Sequence, residues 1–448
     1  MPTVILSIFT QINLFLLFTK ATNSGILPLG KFVKGSVKMT VMTKKLANKK
    51  YIFALVFLCS VIYFVSYITR INYSAVLVEI MRSEGFEKTA ASVPLTGLFI
   101  VYGVGQLISG YLGDKFSPEK IIFFGLLLTS GMNILLPLCG STYLMTAVWC
   151  INGFAQALMW PPLVKILSKL LTLDDYAKNI IYIHFGSGIG TIAVYTISPV
   201  IISHSSWKFV FFTAASVALV VAFVWILTIF RIENNVQDVE VYAVKEKINE
   251  KSAFSKAAIV LLSLIMITNV FQGLLRDGIT TWMPTYMADT FKFNSQSAIF
   301  TGVALPMASL AVSGVTATLY RKVLKNEAKC TSLFFVICSA CCLTLCLASG
   351  TNPALSTVML MVANAATHAI NFMYTSIAVS KFERFGKTSF VTGAINSSVY
   401  IGSALSTYGI AAVTTHFGWT GTMITWFGAS FIGLILCIFT IKPFSKEV

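Results

Sequence analysis

Twelve stretches of roughly twenty apolar residues, separated by short polar connections, constrain this chain more than any motif in it. They fall at approximately 51–80, 91–113, 120–139, 142–170, 179–203, 207–230, 255–288, 296–320, 330–349, 354–380, 388–414 and 419–441, and are called spans 1 to 12. A helix rises about 1.5 Å per residue and the hydrocarbon core of a bilayer is about 30 Å thick, so each stretch is long enough to cross one. Each must be helical, because a backbone N–H or C=O in lipid has no water to bond. Only 11% of the residues are charged, against about 25% in soluble globular proteins. The expectation is an all-α membrane protein of twelve transmembrane helices in two six-helix bundles.

The formal charge of +16 would suggest nucleic acid in a soluble chain. Here it is topological. If the N-terminus is cytoplasmic, all of the 33 Lys and Arg except Arg70, Arg82, Lys88, Lys208, Arg276 and Lys292 lie in the tails or the even-numbered connections. By the positive-inside rule both termini are cytoplasmic, the partner implied is the lipid bilayer, and no nucleic acid is expected. The longest polar interruption, 231–254, contains Arg231, Glu233, Asp238, Glu240, Lys245, Glu246, Lys247, Glu250 and Lys251. It divides the chain into a 1–50 tail, a 51–230 bundle, a 231–254 linker, a 255–442 bundle and a 443–448 tail, a six-and-six division that suits two repeated halves around a cavity. Residues 1–41 fit this plan poorly: the run from Val4 to Phe18 is short for a span and lacks the basic start of a signal peptide. Translation is expected to begin at Met39 or Met42.

Two arginines stand inside spans. An arginine at mid-bilayer costs about 2.5–3.5 kcal/mol on insertion scales, so it faces a partner or a water-filled cavity. Arg70 in span 1 and Arg276 in span 7 are at corresponding depths of corresponding helices, which a pseudo-two-fold arrangement would bring to opposite walls of one cavity. A guanidinium fork matches the oxygens of phosphate or carboxylate. The competing readings are that Arg70 snorkels toward Glu79 and that Arg276 pairs with Asp277. Adjacent helical residues point about 100° apart, which argues against a face-to-face Arg276–Asp277 contact.

Polar residues recur at helical spacing: Tyr63, Tyr67, Arg70 and Ser74 in span 1; His184, Ser187, Thr191 and Tyr195 in span 5; Asn269, Gln272, Arg276 and Thr280 in span 7. Spans 10 and 11 add Asn364, His368, Asn371, Thr375 and Asn396, Tyr400, Ser403, Thr407. Together they imply a lined aqueous path, with interhelical hydrogen bonding as the bland alternative for any one stripe. His184 is a candidate donor to an anion or proton relay, and a packing histidine fits its spacing equally. Gly186, Gly188 and Gly190 suit close helix packing better than phosphate binding. The nine cysteines lie in or beside apolar stretches. Even the cluster Cys338, Cys341 and Cys342 reads as packing, so no disulfide framework, metal or cofactor is expected. No nucleophile, metal cluster or carboxylate pair in the spans suggests an enzyme.

At these residues the chain resembles a known family. Gly110-Tyr-Leu-Gly-Asp114-Lys115 after span 2 is similar to the major facilitator loop signature, which implies a conformational role for Gly110, Asp114 and Lys115. The segment Asn269-Val-Phe-Gln-Gly-Leu-Leu-Arg276-Asp-Gly-Ile-Thr-Thr-Trp282-Met-Pro284-Thr-Tyr286 resembles span 7 of the organophosphate:phosphate antiporters, which include glycerol-3-phosphate and hexose-6-phosphate transporters. Asn152-Gly-Phe-Ala-Gln156 with Trp160-Pro161-Pro162 is similar to that family's span 4, and Phe417-Gly-Trp419 to its entry into span 12. The resemblance covers roughly 50–442. It implies that Arg70 and Arg276 are the paired phosphate-binding arginines, that His184 is the span 5 histidine, and that Tyr63, Tyr67 and Tyr400 line the cavity. Gln106 stands where the glycerol-3-phosphate branch has a lysine, Ile71 where a basic residue often follows the first arginine, and Thr281 where an acidic residue is usual. Cavity charges are therefore missing relative to the family, and the site residues to test are Arg70, Arg276, His184, Tyr63, Tyr67, Tyr400 and Gln106.

The reading is a monomeric, multi-pass carrier of the bacterial inner (cytoplasmic) membrane that exchanges a phosphate ester or related small organic anion for inorganic phosphate by alternating access. Exchange is expected because an empty carrier with two facing cations would reclose poorly. A carrier for carboxylates such as hexuronates and a non-transporting sensor of an external sugar phosphate are the alternatives.

Overall fold

The computed structural model describes residues 38–244, 256–348, 350–379, 382 and 388–446. Ten helices in this set are long and apolar enough to cross a membrane. A divided span 4 and a joined pair, spans 11 and 12, bring the count of passes to twelve. Span 4 is two pieces, Thr142–Ala157 and Trp160–Leu170, because Pro161 and Pro162 cannot continue a preceding hydrogen-bond ladder but suit the first turn of a new helix. Spans 11 and 12 run together as Thr388–Lys446, turning at Gly418, whose φ of 67° is open to glycine at little cost. The other passes are Lys49–Ile68 with Ile71–Glu84 (span 1), Lys88–Lys115, Pro118–Leu135, Leu173–His204, Trp207–Glu233, Lys256–Phe291, Ser295–Thr301 with Ala304–Leu319 (span 8), Glu327–Ala348 and Pro353–Phe372.

Side-chain caps mark where the sequence starts several of these helices. Asn48 accepts from Lys50 N–H, Ser141 from Leu144, Thr172 from Asp175, Asn294 from Ser297 and Asn352 from Ala354 and Leu355. Each satisfies donors that the first helical turn leaves free. Many large apolar side chains point outward, as Phe53, Leu347 and Phe439 do at 71, 81 and 65% exposure, while others such as Trp149, Trp282 and Phe335 pack inside. Asn72, Asn133, Asn152 and Gln156 are buried inside. The apolar outer surface is unlike that of a soluble protein, and it follows from lipid offering leucine as good an environment as the bundle does.

At the face that carries the termini, Lys38–Lys45 (β1) pairs antiparallel with Gln237–Val244 (β2), Lys44 opposite Asp238 and Met42 opposite Glu240. The ribbon is tied to the end of span 4: Lys45 Nζ donates to the Ser168 and Lys169 carbonyls at 2.8 and 3.0 Å, and Leu46 N–H to Leu170 O at 2.8 Å. Met39 and Met42 therefore lie within a strand. The run Val4 to Phe18 and the basic residues Lys381, Arg384 and Lys387 lie outside the described residues.

At the opposite face the two halves are joined by side chains. Lys88 Nζ lies 2.6 Å from Asp289 Oδ2, Trp419 Nε1 donates to the same carboxylate oxygen at 3.1 Å, and the Thr96 and Thr407 hydroxyls are 2.6 Å apart. Tyr195 of span 5 donates to the Thr280 carbonyl of span 7 at 3.0 Å.

Candidate functional site

Arg70 sits at a break in span 1. The helix ends at Ile68 and restarts at Ile71, with Arg70 at φ −117°, ψ −47°. The ladder bond that Tyr73 N–H would make to the Thr69 carbonyl is diverted, since Tyr73 donates to Asn72 Oδ1 at 2.9 Å. The freed Thr69 carbonyl accepts from Asn133 Nδ2 and Asn152 Nδ2, both at 3.1 Å. Gln156 Nε2 donates to the Thr69 and Thr129 hydroxyls at 2.8 and 2.9 Å, Ser66 donates to Gln156 Oε1 at 2.6 Å, and Asn72 to Asn133 Oδ1 at 2.7 Å. A buried backbone acceptor left unpaired costs about 1–3 kcal/mol, so this network is what makes the break tolerable. It also assigns Asn152 and Gln156 a structural task.

The consequence is the presentation of the guanidinium. Arg70 is 7% exposed, its Cζ lies 4.5 Å from the Tyr67 ring centre and 5.0 Å from that of Tyr102, and its Nε is buried without a hydrogen-bond partner. Cation–π contact with two ring faces offsets part of the cost of burying this charge.

Arg276 is placed differently, on the unbroken helix of span 7. Here two glycines bring spans 7 and 11 into backbone contact: a Cβ on Gly273 would collide with the Val399 carbonyl, and one on Gly402 with that of Val270. That approach sets Arg276 and Asp277 against Tyr400 and Ser403. Arg276 Nε and Nη2 donate to Asp277 Oδ1 and Oδ2 at 3.0 and 2.8 Å, and the Ser403 hydroxyl donates to Asp277 Oδ2. The sequence argument against this pairing is thus wrong. Cα–Cβ vectors 100° apart do not keep a four-bond arginine side chain from folding back onto its neighbour.

The residues around the two arginines form one cluster drawn from both halves. Tyr67 from the first half and Tyr400 from the second are within electrostatic reach of both guanidiniums, and Asp277 of both as well. The Tyr102 and Tyr400 rings meet edge to face at 4.6 Å. Tyr63 packs on Tyr67, Trp160 and His184 at 5.3, 4.7 and 5.7 Å. His184 keeps an accessible surface although Trp160 also lies 5.0 Å from it. Gly186 and Gly190 bring its helix against span 1, since a Cβ on either would meet the Ser60 or Phe64 carbonyl of span 1, while Gly188 faces Leu310 of span 8.

A sequence profile decides the family: the Major Facilitator Superfamily profile matches residues 59–407. The chain belongs to the Major Facilitator Superfamily. The glycerol-3-phosphate transporter of Bacillus subtilis (strain 168) is 26% identical over 253 residues, 52% of this chain and 56% of that protein. The probable hexose phosphate transport protein of Chlamydia trachomatis serovar D is 24% identical over 160 residues, 36% of this chain and 35% of that protein. The chain thus spans about half or less of the length of these curated relatives. A bacterial homologue of the human lysosomal transporter Spinster, solved inward-facing and occupied, superposes with a TM-score of 0.74 at 12% identity, over 90% of this chain and 99% of that one. At that identity the likeness is one of fold.

Within this facilitator, Gln106 lies one turn from Tyr102 on the same helix, with Nε2 buried and unpartnered. The signature residues Gly110, Asp114 and Lys115 are not in a loop: the span 2 helix continues to Lys115, and the connection is only Phe116 and Ser117. Lys115 Nζ lies over the Tyr111 ring at 4.5 Å, a Cβ on Gly110 would meet nothing within 4 Å, and the side chain of Asp114 lies outside the described residues.

The polar stripes do not all line water. Asn269 and Gln272 are fully buried and donate to the Ile395 and Thr367 carbonyls at 3.5 and 3.0 Å, and Thr407 is spent on the contact with Thr96. Interhelical bonding is the correct reading for these three. Sequence reasoning gave no site role to Tyr102, Trp160 or Asp277 and set His368 only in a polar stripe, although His368 is within electrostatic reach of Arg276 and Asp277. The signal for Tyr102 was its i, i+4 relation to Gln106; for Asp277 it was a second ionisable residue deep in a span.

Proposed function

We propose that this facilitator is an alternating-access carrier that exchanges a phosphate ester, or a related small organic anion, for inorganic phosphate. The observation that carries the proposal is the buried Arg70 fork, lying over Tyr67 and Tyr102 with Nε unpartnered, in a cluster it shares with Arg276 and Tyr400 of the other half. A guanidinium held in this way binds the paired oxygens of an oxyanion. The printed names of the two bacterial relatives, a glycerol-3-phosphate and a probable hexose phosphate transporter, support the same class.

The distribution of Lys and Arg supports cytoplasmic termini, and the bacterial relatives support an inner membrane. In that orientation the Lys88–Asp289 and Thr96–Thr407 contacts join the halves at the outer face, which supports access to the site from inside. An anion held at Arg70, in a cluster that also contains Tyr400 of the other half, draws the halves together, and it moves the equilibrium only by its differential affinity for the two states. Because Asp277 compensates Arg276, the pressure toward exchange comes from Arg70 alone.

Uptake of labelled phosphate into proteoliposomes loaded with different trans anions tests the proposal. Counterflow stimulation by phosphate or a phosphate ester is the expected result. Uptake indifferent to the trans anion removes the exchange claim, and anion binding without any uptake replaces the carrier with a sensor.

A further inference from the structure

Asp277 already occupies the position that an anion would take on Arg276. Both of its oxygens are engaged by the fork, at 3.0 and 2.8 Å, and Ser403 from span 11 donates to one of them. Arg70 has no such partner: among the described residues it forms no ion pair, and its Nε is orphaned. The two arginines are equivalent in sequence position but not in charge state. Counting Arg70, Arg276 and Asp277, the fixed charge of the cluster is formally one positive rather than two. His184 and His368 are the other titratable side chains near it besides the tyrosines.

A ligand's charge must be matched where water is scarce, since an uncompensated charge in such a site is costly. A dianion at Arg70 would bring its second charge toward the Asp277 carboxylate, itself within electrostatic reach of Arg70. A monoanion leaves the cluster neutral. We propose that Asp277 is the residue that sets the charge class of the substrate, acting as a resident counter-anion on Arg276 so that the site selects singly charged oxyanions over dianions. For a phosphate or phosphate ester this means the singly charged form. The inference rests on the reading that this cluster binds oxyanions, and it adds a determinant of which ones.

Charge is separable from shape with two probes whose charge does not change near neutral pH, methyl sulfate as the monoanion and sulfate as the dianion. The full-length chain is purified, and each probe is titrated against labelled phosphate uptake and, independently, against thermal unfolding in detergent. In the wild type, methyl sulfate is expected to act at concentrations at least about tenfold below sulfate, since one unmatched charge at this range is worth more than the free energy of a tenfold change in affinity. Asp277→Asn is expected to reverse the order, and Asp277→Glu to keep it.

A wild type that prefers sulfate overturns the proposal without any variant being needed. So does an Asp277→Asn protein that runs as a single species and retains the wild-type order. If the wild type transports labelled phosphate but shows either result, only the charge-class proposal fails. If it neither transports phosphate nor is stabilised by either oxyanion, the proposed function fails and this inference falls with it.

Discussion

Lys88 and Asp289 form an ion pair 2.6 Å long between the start of span 2 and the end of span 7, joining the two halves at the face opposite the termini. Lys88 also lies 5.1 Å from the Trp419 ring centre, and Trp419 donates to the same aspartate. Both charged side chains are partly exposed, at 26 and 38%, so the pair is worth at most about 1 kcal/mol. Lys88→Ala should therefore loosen this face without unfolding the protein. In a background lacking the native cysteines, a cysteine in place of Thr407 should react with an impermeant maleimide a few-fold faster, roughly up to fivefold, when Lys88 is alanine. An unchanged rate would mean the pair has no part in closure.

Arg276→Lys should lose most phosphate uptake, by about tenfold or more, because an ammonium cannot replace a planar fork engaged through two nitrogens. Wild-type uptake by a properly inserted Lys variant would remove Arg276 from the site. Arg70→Lys should be at least as damaging, since the two-ring contact with Tyr67 and Tyr102 favours the flat guanidinium.

The network under the span 1 break should be sensitive to substitution because its amides are buried. Asn152→Ala removes one of two donors to the Thr69 carbonyl and the acceptor for Thr129, and the expected loss is about 1–2 kcal/mol. Thermal unfolding in detergent measures this. Because the same break presents Arg70, uptake at saturating stability should fall as well. Loss of stability with full uptake would separate the network from Arg70 placement.

Gly402→Ala should be more damaging than a methyl group suggests. The new Cβ would strike the Val270 carbonyl, a backbone atom with no rotamer to move into, and overpacking of this kind costs about 1–3 kcal/mol. Spans 7 and 11 would separate, parting Asp277 from Ser403. A lower melting temperature and reduced uptake are the expected outcomes, and Gly409→Ala, where a Cβ meets nothing within 4 Å, is the matched control.

Much of this was legible in the residues because lipid imposes simple rules. The run lengths gave helices, and Pro161 with Pro162 and Gly418 carried the signals for the division of span 4 and the turn between spans 11 and 12. The β1–β2 ribbon was harder to see. Val239, Val241 and Ala243 alternate with polar residues, yet they lie in a charged linker far in sequence from their partners, and strand pairing at that separation leaves no local trace. The Arg276–Asp277 pair was misread for a related reason: helix geometry constrains where side chains leave the backbone, not where a long one ends.

By itself the sequence determined a membrane-spanning, twelve-pass chain with two arginines at matching depths, because hydrophobic length and the cost of buried charge are local quantities. Tertiary structure alone decided that those arginines are not alike. Whether a buried cation is compensated depends on what neighbouring helices place beside it. For Arg276 that is the adjacent Asp277, held by Ser403 from a helix more than a hundred residues away. For Arg70 it is two ring faces and an empty nitrogen.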